Sequence, residues 1–161
     1  MNTGFQPLPM TLSSSSQAAA THPKKILVVD DSLVILKVLS VKLNSAGYTV
    51  LTAADGASAI STVRKERPDL ILLDVMFPPD VAHGGGVRWD AFTIMSWIKR
   101  IEEAAHTPII VITSGDPASL KDRCLAAGAA AFFQKPINYD ELVATIRRVL
   151  GETSPDTLPP A

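Results

Sequence analysis

Five side chains that could together hold a metal ion and a phosphoryl group each stand at the end of a short apolar run. These residues are Asp30, Asp31, Asp74, Thr113 and Lys135. The preceding runs read ILVV before Asp30, LILL before Asp74, IIVI before Thr113 and AFFQ before Lys135. If the runs are parallel strands of one sheet, their carboxyl ends share an edge, where ligands usually bind. The sequence therefore predicts a site of three carboxylates, one hydroxyl and one ammonium group.

This set of side chains suits phosphoryl transfer, which depends mainly on positioning and on neutralising charge. The adjacent carboxylates of Asp30 and Asp31 repel each other unless a cation neutralises them, and Mg²⁺ prefers such oxygen ligands. Asp74 could be a further ligand, and its free oxygen could be the nucleophile that forms an aspartyl phosphate. Lys135 offers a positive charge and Thr113 a hydroxyl donor to phosphoryl oxygens.

The elements that must position these residues are predicted by alternating patterns along the chain. A fifth apolar run, residues 48–53, joins the four runs above as a strand. Helical patterns follow the strands, from Ser32 to Ala46, after Asp55 to about Arg67, from Asp90 to Glu103, from about Pro117 to Ala127, and after Asn138 to Leu150. Five strands alternating with five helices predict an α/β fold, a doubly wound (βα)5 arrangement with helices on both faces of a parallel sheet.

The domain organisation follows from composition. We expect one folded domain over residues 24–151, a disordered tail over residues 1–23 that contains four consecutive serines, and a second tail over residues 152–161 with three prolines.

No apolar stretch approaches the length of a membrane span, and the net charge of −1 gives no basic field for nucleic acid. Cys124 is the only cysteine, which excludes an intrachain disulfide and fits a cytoplasmic location.

Together the motifs resemble the receiver domain of two-component response regulators, and the chain is similar to the stand-alone chemotaxis type. The motifs that carry the resemblance are VDDS ending at Ser32, LDVM ending at Met76, TSG ending at Gly115, and KP ending at Pro136. The resemblance implies a flavodoxin-like five-stranded sheet with strand order 2-1-3-4-5. It also implies a protein that stores a signal as a phosphoryl group and is not an enzyme acting on other substrates.

The resemblance assigns a role to each site residue. Asp74 would accept phosphate from the phosphohistidine of a histidine kinase or phosphotransfer protein. Asp30, Asp31 and Asp74, with the backbone carbonyl of Met76, would hold Mg²⁺. Thr113 and Lys135 would contact the phosphoryl group. Thr113 and the aromatic Phe132 would be switch residues that remodel the surface of the fourth helix, fifth strand and fifth helix, where a downstream protein or a second copy of the chain would bind.

One segment departs from the family pattern. The connection between Asp74 and the third helix is long, with an insertion of about nine residues near 79–87. Either this loop covers the acidic pocket or forms a partner surface, or it is a tolerated surface insertion. Deleting residues 79–87 and measuring phosphotransfer distinguishes the two, because unchanged rates and partner binding would exclude the functional version.

Two other functions are consistent with some of these features. A pseudo-receiver would be an interaction module that never accepts phosphate, against which the intact set of five residues argues. An aspartate-nucleophile phosphatase would need further catalytic carboxylates and a substrate cap, which the sequence does not provide. We therefore expect a receiver that signals through protein contacts or phosphorelay, with no direct contact to nucleic acid and no membrane insertion.

Overall fold

Five short runs rich in Ile, Leu and Val form a parallel sheet in the computed structural model, which describes residues 22–75 and 90–152. The strands are β1 (Lys25–Val29), β2 (Thr49–Ala53), β3 (Leu70–Asp74), β4 (Ile109–Thr113) and β5 (Ala131–Gln134). Every neighbouring pair is parallel, and the order is β2-β1-β3-β4-β5. All residues of β3 and β4 are buried, as expected for central strands covered on both faces. The predicted α/β fold and strand order 2-1-3-4-5 are confirmed.

Five α-helices follow the strands in the described part of the chain, and each begins after a residue that caps its free backbone N–H groups. The helices are α1 (Leu33–Ser45), α2 (Gly56–Glu66), α3 (Ala91–Lys99), α4 (Pro117–Ala126) and α5 (Tyr139–Val149). Their N-caps are Ser32, Asp55, Asp90, Asp116 and Asn138, whose side chains accept hydrogen bonds from the first turn. Such capping satisfies donors that have no partner within the helix. Asp55 and Asn138 thus cap the two helices that the sequence predicts to begin directly after them.

The third helix is shorter than its apolar pattern indicates. We predicted a helix to Glu103, but α3 ends at Lys99, and Glu102–Ala104 form a separate 3₁₀ turn. Ile101 lies between them with an extended backbone, and its side chain is buried. The spacing of apolar residues continues through this break, so the apolar pattern does not mark the end of α3.

The helices cover the two faces of the sheet with separate apolar clusters. Alternate residues of each strand point to opposite faces, so that Leu27 and Val29 pack with α2, α3 and α4. Ile26 and Val28 pack with α1 and α5 on the other face. Within the described residues, no helix has both the length and the hydropathy of a membrane span. The doubly wound arrangement therefore leaves the sheet edge at the carboxyl ends of the strands for the polar site.

Tyr48 links the start of β2 to the end of the domain. Its hydroxyl donates a hydrogen bond to Glu152 Oε2 at 2.7 Å, and its side chain is almost fully buried. Burial and, next, the neighbouring Glu152 carboxylate raise the pKa of Tyr48 to about 12. In the unfolded chain the pKa of the Tyr48 phenol is about 10, and below this pH the neutral phenol makes its full contribution to the stability of the fold. This contribution is lost as the pH rises towards the pKa of about 12 in the folded protein.

We expect Tyr48→Phe to lower the free energy of unfolding by about 1 kcal/mol at neutral pH, since one hydrogen bond is lost. The difference from the wild type should shrink above about pH 10, where unfolding ionises the wild-type phenol. Urea unfolding at neutral pH and near pH 11 measures both effects. Tyr139→Phe is the matched control, because a phenylalanine ring keeps the contact with Lys42. A difference that stays constant with pH would contradict the role assigned to the Tyr48 hydroxyl.

Candidate functional site

The carboxyl ends of four strands bring the predicted site residues to one edge of the sheet. Asp30 directly follows β1, Asp74 ends β3, Thr113 ends β4, and Lys135 directly follows β5. The strand register aligns Asp74 with Ile112 and Thr113 with Gln134, so that the ends are level. The strands form locally because Ile, Leu and Val suit a doubly covered sheet, and each strand ends where a polar residue interrupts its apolar run.

Three carboxylates form a close cluster at this edge. One carboxylate oxygen from each of Asp30, Asp31 and Asp74 lies within 4.8 Å of the others. Asp30 and Asp74 are 3% and 5% exposed, whereas Asp31 is exposed to solvent. Asp30 Oδ1 also accepts a hydrogen bond from the backbone N–H of Ser32 at 2.8 Å, which fixes the orientation of its carboxylate. The cluster therefore presents two buried carboxylates and one that faces water.

The donor set fits Mg²⁺. Carboxylate oxygens are the ligands that Mg²⁺ prefers, and one oxygen from each of these three side chains lies within 4.8 Å of the other two, so they could share one ion. Waters would complete the coordination, as Mg²⁺ usually requires. Because Asp31 faces solvent, an ion held here would be reachable from solvent.

Lys135 supplies the positive charge within the cluster. Its Nζ lies 2.7 Å from Asp30 Oδ2 and 3.3 Å from Asp74 Oδ2. Burial alone would lower the pKa of Lys135, but its hydrogen bond to Asp30 and the charges of Asp74 and Asp30 outweigh this effect and raise the pKa. The ammonium group therefore stays protonated at neutral pH and holds the two buried carboxylates together. The following peptide bond, Lys135–Pro136, is cis.

Thr113 is completely buried and has a defined hydrogen-bond partner. Its Oγ1 accepts a hydrogen bond from the backbone N–H of Gly115 at 3.0 Å, and its backbone carbonyl accepts one from the N–H of Lys135 at 2.8 Å. A β-carbon at position 115 would lie only 2.5 Å from Leu120 Cδ1 and 3.3 Å from Thr113 Oγ1. Glycine therefore allows the chain after β4 to pass between the Thr113 hydroxyl and α4.

Phe132 lies in β5 and is partly buried against the cluster that α2, α3 and α4 form on their face of the sheet. This position agrees with a packing role for Phe132, and the predicted switch role stays a prediction.

Met76 and the insertion near 79–87 lie outside the described residues, as do residues 1–21 and 153–161 of the two predicted tails. The structure thus brings together Asp30, Asp31, Asp74 and Lys135, with Thr113 at the end of the neighbouring strand.

Two exposed apolar residues beside the site were not predicted. Leu33 and Val34 open α1 one residue after the acidic pair and are 75% and 71% exposed. The sequence contains a signal for them, because the run LVIL at 33–36 is too apolar to lie on a single buried face of a helix. The carboxylate cluster is therefore bordered by an apolar surface that another protein could cover.

Comparison with known proteins agrees with this geometry. Residues 26–147 match the family model described as response regulator receiver domain. Response regulator MprA of Mycobacterium sp. (strain KMS) is 35% identical over 137 residues, which cover 85% of this chain and 55% of MprA. This chain spans about half the length of MprA and of several similar curated relatives.

Solved structures share the fold. Chemotaxis protein CheY4 of Vibrio cholerae is 34% identical, with a TM-score of 0.69 over 80% of this chain and 99% of that chain. The receiver domain of sensor histidine kinase PA1611 from Pseudomonas aeruginosa PAO1 is 32% identical, with a TM-score of 0.68 over 81% of this chain and 99% of that chain. In that structure a magnesium ion is coordinated in the active site cleft.

Proposed function

Because the chain belongs to the response regulator receiver domain family, we propose that it accepts a phosphoryl group on Asp74 in an Mg²⁺-dependent reaction. The donor is the phosphohistidine of a histidine kinase or of a phosphotransfer protein. The phosphorylated protein then signals by a change of conformation or by phosphorelay. It is a phosphoacceptor in two-component signalling and catalyses only its own phosphorylation and dephosphorylation.

The position of Asp74 is the observation that carries this proposal. Its carboxylate lies beside Asp30, Asp31 and the Lys135 ammonium, at the carboxyl end of a central strand. One carboxylate that can attack phosphorus is thereby surrounded by groups that can hold a cation and balance charge. An acidic strand end without these neighbours would not support phosphoryl transfer.

The residues of this chain divide the work of the reaction. An Asp74 carboxylate oxygen attacks the phosphorus atom, a P–O bond forms, and the donor's P–N bond breaks with its electron pair left on the imidazole nitrogen. Lys135 pairs with a phosphoryl oxygen, and the Thr113 hydroxyl donates a hydrogen bond to another. The hydroxyl can donate this bond while its oxygen accepts from the Gly115 N–H, because a hydroxyl has one donor and two acceptor positions. As Thr113 moves towards the phosphoryl group, the Phe132 ring turns inward.

Mg²⁺ would be held by Asp30, Asp31 and Asp74, with the Met76 backbone carbonyl as a further ligand. When bound, the ion neutralises charge on the transferring phosphoryl group. The magnesium ion in the PA1611 receiver domain and the spacing of the three carboxylates support this assignment.

The apolar start of α1 suits the phosphodonor. Leu33 and Val34 are exposed beside Asp31, at the edge where a phosphohistidine must enter. A donor that covers them would exclude water from the reaction and gain affinity from burying their side chains.

A downstream protein, or a second copy of the chain, would bind the surface of α4, β5 and α5. Both partners act in the cytoplasm.

Intact-mass measurement tests the proposal. Incubation with acetyl phosphate and Mg²⁺ is expected to add the mass of one phosphoryl group, and chelation of Mg²⁺ with EDTA is expected to prevent the gain. No gain under conditions that label a known receiver would favour the alternative, a pseudo-receiver that acts through contacts alone.

A further inference from the structure

A groove between α2 and α3 is unconnected to the phosphoacceptor chemistry. It has a volume of about 570 Å³ and is lined by Ala57, Ile60, Ser61, Arg64, Lys65 and Trp97. We call it the α2–α3 groove. Arg64 and Lys65 belong to the last turn of α2, which leads into the amino end of β3. The basic end of the groove therefore lies towards the sheet edge opposite Asp74, and binding there would leave the acidic cluster accessible.

The groove combines an apolar floor with an exposed aromatic wall. Ile60 is almost completely buried at its base, whereas Trp97 keeps 38% of its surface exposed. Trp and Arg are the residues that most often dominate the binding energy of protein interfaces. An exposed tryptophan beside an arginine therefore marks a surface that gains from being covered.

The charge of the groove is positive and poorly balanced. None of its lining residues is acidic. Among the residues that the structure describes, Arg64 forms no ion pair, and Lys65 has only a long contact of 3.9 Å to Glu66. Glu66 also lies 3.8 Å from Lys25, while Glu103 pairs with Arg67 at 3.6 Å. The neighbouring carboxylates of Glu66 and Glu103 thus also contact Lys25 and Arg67, which do not line the groove.

Basic residues near a helix C-terminus are favoured by the helix dipole, which accounts for the sign of the charge. The dipole does not account for the exposed Trp97 or for the apolar floor of the groove. Nucleic acid is a poorer match, because it would need a row of cations that follows the phosphates. A segment with apolar side chains next to carboxylates complements both features.

We propose that the α2–α3 groove binds an acidic amphipathic helix of a partner protein. Apolar side chains of that helix pack on Trp97 and Ile60, and its carboxylates pair with Arg64 and Lys65. This surface is separate from the acidic cluster, so binding does not require phosphorylation of Asp74.

The probe is a synthetic helical peptide with leucines at positions i, i+3, i+4 and i+7 and glutamates between them. A second peptide carries lysine in place of every glutamate. The chain has two tryptophans, Trp89 and Trp97, so Trp89→Phe leaves Trp97 as the fluorescent reporter. The full chain should show a saturable change in Trp97 emission with the glutamate peptide and none with the lysine peptide.

Charge reversal identifies the contact. Arg64→Glu/Lys65→Glu is expected to weaken binding of the glutamate peptide about tenfold or more and to create binding of the lysine peptide. Lys37→Glu/Lys121→Glu changes the net charge equally on α1 and α4 and should leave binding unchanged. Asp74→Asn should also bind normally, which separates this result from the phosphoacceptor function. Equal binding of both peptides, no saturable change, or equal losses in the two reversal variants would overturn the proposal.

Discussion

Asp74→Asn is expected to leave the protein unphosphorylated and, without Mg²⁺, more stable than the wild type. Asparagine has no carboxylate oxygen to attack phosphorus, so acetyl phosphate should produce no gain in intact mass. The same change removes one of three neighbouring negative charges, two of which contact the Lys135 ammonium group. Relief of this repulsion should raise the free energy of unfolding by about 1 kcal/mol, or the Tm by about 4 °C.

The opposite directions of these two effects make the experiment informative. A variant that had merely misfolded would lose phosphorylation and stability together. Asp55→Asn is the matched control, because Asp55 caps α2 and asparagine caps a helix about equally well. It should be phosphorylated normally with an unchanged Tm. A gain of one phosphoryl mass by Asp74→Asn would contradict the assignment of the acceptor.

Lys135→Met is expected to be the most destabilising change at the site. It removes the cation that contacts both buried carboxylates, at 2.7 Å and 3.3 Å, and leaves them facing each other. Loss of one partner from a buried ion pair costs about 3 kcal/mol. Because the pKa of Lys135 is raised, its contribution is complete below the unfolded value of about 10.4 and declines at higher pH. The full effect should therefore appear at neutral pH.

Mg²⁺ should reverse much of this loss, since the ion replaces the missing positive charge. The Tm of Lys135→Met should then rise more on addition of Mg²⁺ than that of the wild type. Phosphorylation by acetyl phosphate should remain about a hundredfold slower, because the phosphoryl oxygen that Lys135 contacts in the wild type has lost its cationic partner. Lys37→Met, on the exposed side of α1, is the control. Similar Tm values for the two methionine variants would contradict the bridging role of Lys135.

The fold was predictable because its local signals agree with its packing. Apolar runs too short for helices alternate with segments at helical spacing, and residues such as Asp55 and Asn138 cap the helices that follow. The end of α3 was predicted wrongly. Ile101 continues the apolar spacing of the helix and its side chain is buried, yet its backbone is extended. Periodicity along the chain therefore cannot detect this boundary.

The candidate site was predictable in its membership but not in its contacts. Strand ends place Asp30, Asp74 and Lys135 at one edge whatever the details of packing. Sequence could not predict that Lys135 bridges both buried carboxylates, since this depends on the length and direction of a flexible side chain. Nor could it predict the contact of Gly115 with Thr113, which requires the course of the chain after β4.

The hydrogen bond between Gly115 and Thr113 joins the phosphoacceptor edge of the sheet to the loop that leads into α4. Thr113 Oγ1 accepts this bond from the Gly115 N–H, so the hydroxyl keeps its own proton for another acceptor. A movement of Thr113 Oγ1 towards a phosphorylated Asp74 would therefore either draw the Gly115 backbone with it or leave that N–H without its partner. Through this one bond, a displacement at the end of β4 would be transmitted to the backbone at the start of α4.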